Sequence, residues 1–299
     1  MIESCSVAVG RDIELSCRVA GRPGDPVLVF LHGFPEAAFV WDELLEHFCD
    51  RYRCVAPNLR GFERSSSPAD VAQYRVKHLV ADIAGLIESL GAPIEALVAH
   101  DWGGALAWNL AAQRPDLLKR LVIVNSPHPA TFLRELQTRP SQQSASAYMN
   151  FLSRPDAPAM LGANDFARLW PFFTNMGATD PAREGGAWLT DAVRDRYRAV
   201  WSMGLAGGCN YYRASPLRPP LSADDAVMKL VFEPASVTVR VPTLVIWAEE
   251  DIALPASLLD GLEDFVPGMR LVRVPGASHW IIHERPALIE AEIERELAR

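Results

Sequence analysis

The chain has 299 residues and carries 37 Asp and Glu against 29 Lys and Arg, a formal charge of −8. That acidic balance excludes a general binder of phosphate backbones, which needs a basic stripe, and no apolar run is long enough to read as a membrane span. The five scattered cysteines (Cys5, Cys17, Cys49, Cys54 and Cys209) include no C-x-x-C pair and the N-terminus shows no signal-peptide pattern, so a reduced, cytoplasmic protein is expected.

In chain order, PVLVFLHG (26–33) has the continuous apolar pattern of a buried strand and stops at Gly33. WDELLEHF (41–48) has helical spacing, and YRCVAPN (52–58) is a second strand. Over 75–91, Val76, Leu79, Val80, Ile83, Leu86, Ile87 and Leu90 form one helical face, with Gly91 where a C-terminal cap belongs. EALVAH (95–100) reads as a strand, GGALAWNLAAQ (103–113) as a helix and RLVIVN (120–125) as a strand. Between about 130 and 236 the alternation gives way to irregular helical sequence, with Phe166, Trp170, Phe172 and Phe173 close together and the loop SPLRPP (215–220). It resumes with VPTLVIWA (241–248), a helix over 255–265, the strand MRLVRV (269–274) and an amphipathic helix over 286–298. Strand–helix repetition of this kind predicts an α/β fold with a mostly parallel sheet. The expected organisation is a core in two parts, 1–129 and 237–299, interrupted by a helical cap over 130–236.

The chemistry concentrates at strand ends. EALVAH runs into Asp101-Trp102-Gly103-Gly104, with the small residues Ala99 and Gly103 two positions either side of Asp101. That is the spacing of a nucleophile elbow, a tight strand-to-helix turn that lifts one side chain above a sheet, here an aspartate instead of a serine. A lone Asp-x-Gly is more often a helix N-cap. Downstream, however, VPTLVIWA ends in Glu249-Glu250-Asp251, and Gly276-Ala277-Ser278-His279-Trp280 follows MRLVRV. The order nucleophile, acid, histidine is that of the α/β-hydrolase sheet. After the first strand, His32-Gly33-Phe34-Pro35 adds a turn whose Phe34 N–H can join that of Trp102 in an oxyanion hole.

HGFPE (32–36), APNLRGFERSSSP (56–68), AHDWGGALAW (99–108), VNSPHP (124–129), WAEEDIAL (247–254) and GASHW (276–280) together resemble the epoxide hydrolases of the α/β-hydrolase fold. The resemblance runs from about residue 25 to the C-terminus. It implies Asp101 as nucleophile, Asp251 as the acid of the triad and His279 as the base. It also implies two cap tyrosines facing the nucleophile. Tyr148 in SASAYMNFLSRP matches the first segment and Tyr212 in NYYRA the second, in a chain with only six tyrosines. Ala99 and Ala248 stand where the family often has glycine, and Asn58 where it often has aspartate; both alanines are small enough to keep the turns, and Asn58 reads as structural.

The elbow alone does not separate epoxide hydrolases from haloalkane or haloacid dehalogenases, which use the same carboxylate. The tyrosines favour the epoxide: its opening creates an alkoxide that needs a proton, whereas halide leaves without one. A non-catalytic binding protein on this fold is disfavoured because every catalytic position is filled. The expected partners are a small hydrophobic epoxide and water, without cofactor, metal, nucleic acid or membrane. Phe34, Trp102, His128 and Trp280 are expected to line the pocket, with His128 equally readable as structural. His32 and His100 are expected to hold loops through hydrogen bonds. His279 and His283 are four apart, but His279 falls in a loop and no third ligand is evident, so a metal pair is disfavoured. The acidic run EAEIEREL reads as the solvated face of the last helix.

Overall fold

A computed structural model describes residues 1–299. Its strands are β1 (Glu3–Ala8), β2 (Glu14–Ala20), β3 (Val27–Leu31), β4 (Arg53–Pro57), β5 (Ala96–His100), β6 (Leu121–Val124), β7 (Thr243–Ala248) and β8 (Arg270–Val274). They form one sheet in the order β1-β2-β4-β3-β5-β6-β7-β8. The pairs β1–β2 and β2–β4 are antiparallel, and every pair from β4 onward is parallel. The central strands β3, β5, β6 and β7 are buried at every position. Helices cover both faces of a parallel sheet, which is why these strands are apolar throughout instead of alternating.

The helices around the sheet are α1 (Asp42–Phe48), α2 (Val76–Leu90) and α3 (Asp101–Gln113). α2 buries five residues of the predicted face (Leu79, Val80, Ile83, Leu86 and Ile87), leaves Val76 exposed and Leu90 half-buried, and ends at Gly91, whose φ of 94° is the left-handed cap. Between β6 and β7 the chain forms only helices: α4 (Pro129–Thr138), α5 (Pro140–Ala145), α6 (Tyr148–Leu152), α7 (Ala157–Phe166, broken at Ala163–Asp165), α8 (Trp170–Thr174), α9 (Asp191–Trp201), α10 (Ala206–Ala214) and α11 (Pro234–Val237), with one short 3₁₀ turn over Ala226–Lys229. After β8 come α12 (Ile281–Glu284) and α13 (Pro286–Leu297). No helix is long and apolar enough to cross a membrane.

Three details differ from the sequence expectation. The run 255–265 is not one helix but two 3₁₀ turns, Ala256–Leu259 and Leu262–Asp264, separated by Gly261 at φ 70°. A residue in the left-handed region ends a right-handed helix. The N-terminal hairpin β1–β2 carries no apolar run because β1 is an exposed edge; only β2 alternates buried and half-buried positions. The acidic face of α13 is not wholly solvated. Glu292 and Glu296 are buried against Arg270 of β8, at 2.5 and 3.0 Å. Glu290 and Glu294 turn outward to His47, and Glu294 also meets Arg51.

Candidate active site

Asp101 is the first residue of α3 and has φ 47°, a conformation that costs a non-glycine residue strain and that recurs where a side chain is held for a purpose. The bend brings it against the turn after β3, where a Cβ on Gly33 would lie 2.2 Å from Asp101 Oδ1. On the other side, a Cβ on Gly103 would lie 2.5 Å from the Leu31 carbonyl oxygen. Both glycines are therefore required by close approach. The Ser126 hydroxyl donates to the Asp101 carbonyl oxygen at 2.7 Å and holds the elbow from β6. Phe34 N–H donates to Asp101 Oδ1 at 2.7 Å. Trp102 N–H, in the first turn of α3, is among the amides that a helix leaves without an intrahelical partner.

Asp251 and His279 come from the loops after β7 and β8. His279 Nδ1 donates to Asp251 Oδ2 at 2.6 Å, which leaves Nε2 pointing to Asp101 Oδ2 at 3.9 Å. That gap is longer than a hydrogen bond. Asp251 also accepts from Ala253 N–H and Leu254 N–H, both at 2.9 Å on Oδ1, and from Asn125 Nδ2 at 2.8 Å on Oδ2. Burial alone would raise the Asp251 carboxyl, but His279 and these donors overcome it and hold it below its ordinary value. For His279, burial pushes the imidazole down. The Asp251 charge and hydrogen bond, with smaller help from Asp101 and Glu36, outweigh it and bring the ring up to about 9.

Two cavities meet at Asp101. One is walled by Trp102, Pro129, Phe132, Leu217 and Phe232, the other by Phe34, Phe172, Met176, His279 and Trp280, and both include Asp101, Tyr148 and Tyr212. The two tyrosine rings sit 6.1 Å apart, with Tyr212 edge-on to Phe34 at 5.4 Å and to Trp102 at 5.2 Å. Burial, and then neighbouring Asp101, push the Tyr148 phenol above its ordinary value; for Tyr212 burial leads, followed by Tyr148 and Asp101. Both phenols therefore stay protonated at neutral pH and are available as donors. The aromatic stretch ahead of α9 divides its work. Phe172 faces the cavity, whereas Phe166 and Trp170 pack on Trp201 and Phe173 packs on Trp280.

His128 is corrected to a structural role. Its Nε2 donates to the Val237 carbonyl at 2.8 Å, its Nδ1 accepts from Ala130 N–H, and its ring stacks on Phe265 at 5.1 Å. With both nitrogens engaged it caps α4 and lines neither cavity. His32 holds its loop, donating from Nδ1 to Gly33 O at 2.8 Å and accepting from Leu59 N–H at 3.0 Å. His100 donates from Nε2 to the His279 carbonyl at 2.9 Å. Asn58 accepts from Ala38 N–H and donates to Ser16 and Glu63, as a structural residue does.

Three residues escape sequence reasoning. Asn125 is the side chain that holds Asp251: it donates to that carboxylate and accepts from Ala248 N–H at 2.7 Å, from φ 39°. Ser126 supports the elbow. Glu36, the last residue of HGFPE, is fully buried and accepts from the Tyr197 hydroxyl and His283 Nε2, both at 2.8 Å, with His100 Nδ1 3.4 Å away. Burial works against its charge, but His100 and His283 win and its carboxyl lies well below the ordinary range. Their common sign is a polar residue next to a motif residue, too weak a signal to read alone.

Residues 26–286 match the family model for the alpha/beta hydrolase fold. The AB hydrolase superfamily protein YfhM of Bacillus subtilis is 35% identical over 289 residues, covering 95% of this chain and 94% of that protein. Epoxide hydrolase 4 of Mus musculus is 32% identical over 278 residues, covering 92% of this chain and 73% of the mouse protein. Among solved structures, the Bacillus megaterium epoxide hydrolase in complex with an inhibitor superimposes with a TM-score of 0.88 at 29% identity, over 99% of this chain and all of that one.

Proposed function

The chain belongs to the epoxide hydrolases of the α/β-hydrolase fold and converts epoxides to vicinal diols; from that premise we propose that it works in two half-reactions through an ester on Asp101. The observation that carries this reading is the convergence of an aspartate elbow, a His–Asp pair and two buried phenols on one cavity.

In the first half-reaction an Asp101 oxygen attacks one epoxide carbon and the carbon–oxygen bond of the ring breaks. Tyr148 and Tyr212 hold the ring oxygen and donate a proton as it gains charge, because an alkoxide is too basic to leave unaided. Burial supports this role twice: it keeps the phenols protonated and strengthens their hydrogen bonds in a water-poor site.

The second half-reaction needs a neutral imidazole, although the resting ring titrates at about 9. Esterification works in that direction. It removes the Asp101 charge, one of the influences raising His279, so the ring releases its proton more readily at that stage. His279 Nε2 then takes a proton from water while Asp251 steadies the imidazolium through Nδ1. The water oxygen attacks the acyl carbon, and the developing oxyanion is received by the N–H groups of Phe34 and Trp102. The acyl C–O bond breaks, the leaving alkoxide takes the proton of the new Asp101 carboxylic acid and departs as the diol, and Asp101 is restored as a carboxylate. His279 keeps the proton it took from water, its earlier proton having gone to the tyrosinate left by ring opening. Asp101 Oδ1 already accepts from Phe34 N–H at 2.7 Å, which supports that half of the hole.

The cavity walls support a small, largely apolar epoxide as substrate. The test is diol formation from a panel of aryl and alkyl epoxides by the wild-type chain and by Asp101→Asn. Turnover by the first and its loss in the second is expected; diol formation at an unchanged rate by the variant overturns the assignment of Asp101.

A further inference from the structure

The mechanism above leaves unused a buried carboxylate behind the histidine. Glu284 of α12 is 4% exposed. Its Oε2 accepts from Ser278 N–H at 2.7 Å and its Oε1 from the Ser278 hydroxyl at 2.6 Å. Ser278 immediately precedes His279, so both hydrogen-bond donors of that residue are committed to one carboxylate. A buried carboxylate is costly unless a cation faces it. That cation is Arg183, from the loop between α8 and α9, whose Nε lies 3.6 Å from Glu284 Oε1.

The same guanidinium reaches further. Its Nη2 donates to the Gly276 carbonyl oxygen at 3.0 Å and meets Glu250 Oε2 at 3.0 Å. Gly276 opens the loop that carries His279, and Glu250 precedes Asp251. The two loops are also joined through Glu250 N–H and the Ala277 carbonyl, at 3.0 Å. Thus one side chain from the helical segment touches the His279 loop at Gly276, faces the carboxylate that holds Ser278 and meets the turn that carries Asp251. The seat is close-fitting: a Cβ on Gly185 would lie 2.0 Å from the Glu284 carbonyl oxygen.

We propose that Arg183 and Glu284 form a positioning pair for the water-activating half-reaction, which makes the aim of His279 depend on the 177–186 loop being seated. The inference rests on the two-step reading above. Attack of Asp101 on the epoxide uses the elbow and the tyrosines and does not need His279 Nε2 aimed at water; breakdown of the ester does. The pair therefore acts on the second step through Ser278 and Gly276, without touching substrate.

The experiment is single-turnover rapid quench with styrene oxide, read by intact-protein mass, on wild type, Glu284→Gln, Arg183→Met, Arg183→Lys and His279→Gln. In Glu284→Gln and Arg183→Met, ester formation is expected within about threefold of wild type and ester decay slowed by about ten- to a hundredfold. Then kcat and KM fall together while kcat/KM holds, and Arg183→Lys recovers most of the decay rate. Unchanged decay in both variants overturns the proposal, as does slowing of formation and decay by the same factor, the mark of a generally loosened fold. Should Glu284→Gln not fold, Arg183→Met, whose side chain reaches solvent, carries the same test. Absence of an ester even in His279→Gln sinks the two-step reading itself, an outcome distinct from an ester whose lifetime ignores the pair.

Discussion

Asn125→Leu keeps the branching and heavy-atom count of the side chain and removes two hydrogen bonds at the centre of the site. The Ala248 N–H, at the buried end of β7, loses its acceptor at 2.7 Å, and Asp251 Oδ2 loses its donor at 2.8 Å. An orphaned buried donor costs roughly 1–3 kcal/mol, and a hydrogen bond to a charged group contributes about 1.5–3 kcal/mol. Because the two share one side chain they do not simply add, and a loss of about 2–5 kcal/mol is expected. Asp251 keeps the Ala253 and Leu254 amides on Oδ1, so the triad is loosened instead of abolished. Urea denaturation followed by fluorescence measures the loss, and steady-state turnover should drop by about tenfold or more, because about 1.4 kcal/mol of misorientation suffices for that factor. A variant within about 0.5 kcal/mol of wild type, with unchanged turnover, would refute the assignment of Asn125 as the support of the acid.

Other expectations follow from the same geometry. Tyr148→Phe and Tyr212→Phe should each slow ester formation, and the double variant should lose about a hundredfold or more, the scale of general acid catalysis; stopped-flow quenching of the Trp102 neighbourhood reports it, and a double variant at full rate excludes the pair. Gly33→Ala drives a methyl group to 2.2 Å from Asp101 Oδ1, so turnover should vanish while far-UV circular dichroism stays native; an active variant contradicts the close approach. The folded state holds His279 above its ordinary 6.5, so the protonated ring stabilises the fold fully below 6.5 and that contribution is lost as pH rises to about 9. Between those limits wild type should lose on the order of 3 kcal/mol of unfolding free energy attributable to this ring. His279→Gln should flatten that part of the profile, and parallel profiles would show that the ring is not raised.

Most of the frame of the candidate site is legible in the sequence because it depends on local backbone rules. A small-x-Asp-x-small turn after an apolar run, and an acid and a histidine after two later runs, each mark a strand end without knowledge of the rest of the chain. The sheet is legible for the same reason: β3, β5, β6 and β7 are buried on both faces and read as unbroken apolar runs. What escapes is what depends on tertiary contacts. His128 reads equally as a pocket or a structural residue until Val237 and Phe265 are seen to occupy its ring. Glu292 and Glu296 read as solvated until β8 brings Arg270 beneath them. Asn125 and Glu36 act only through residues distant in the chain, Asp251 for the first and Tyr197 and His283 for the second, so no spacing announces them. The tyrosines lie between. Their segments are recognisable only by resemblance, since neither spacing nor composition states that Tyr148 and Tyr212 share a cavity with Asp101.

The ester on Asp101 is tested most directly by a single turnover in ¹⁸O-water with enzyme in excess over epoxide. If water attacks the acyl carbon, the first diol carries an oxygen from Asp101 and no label, and the heavy oxygen is found in the peptide containing Asp101. Label in the diol of the first turnover, with an unlabelled Asp101 peptide, would mean that water opens the epoxide directly and that no ester forms.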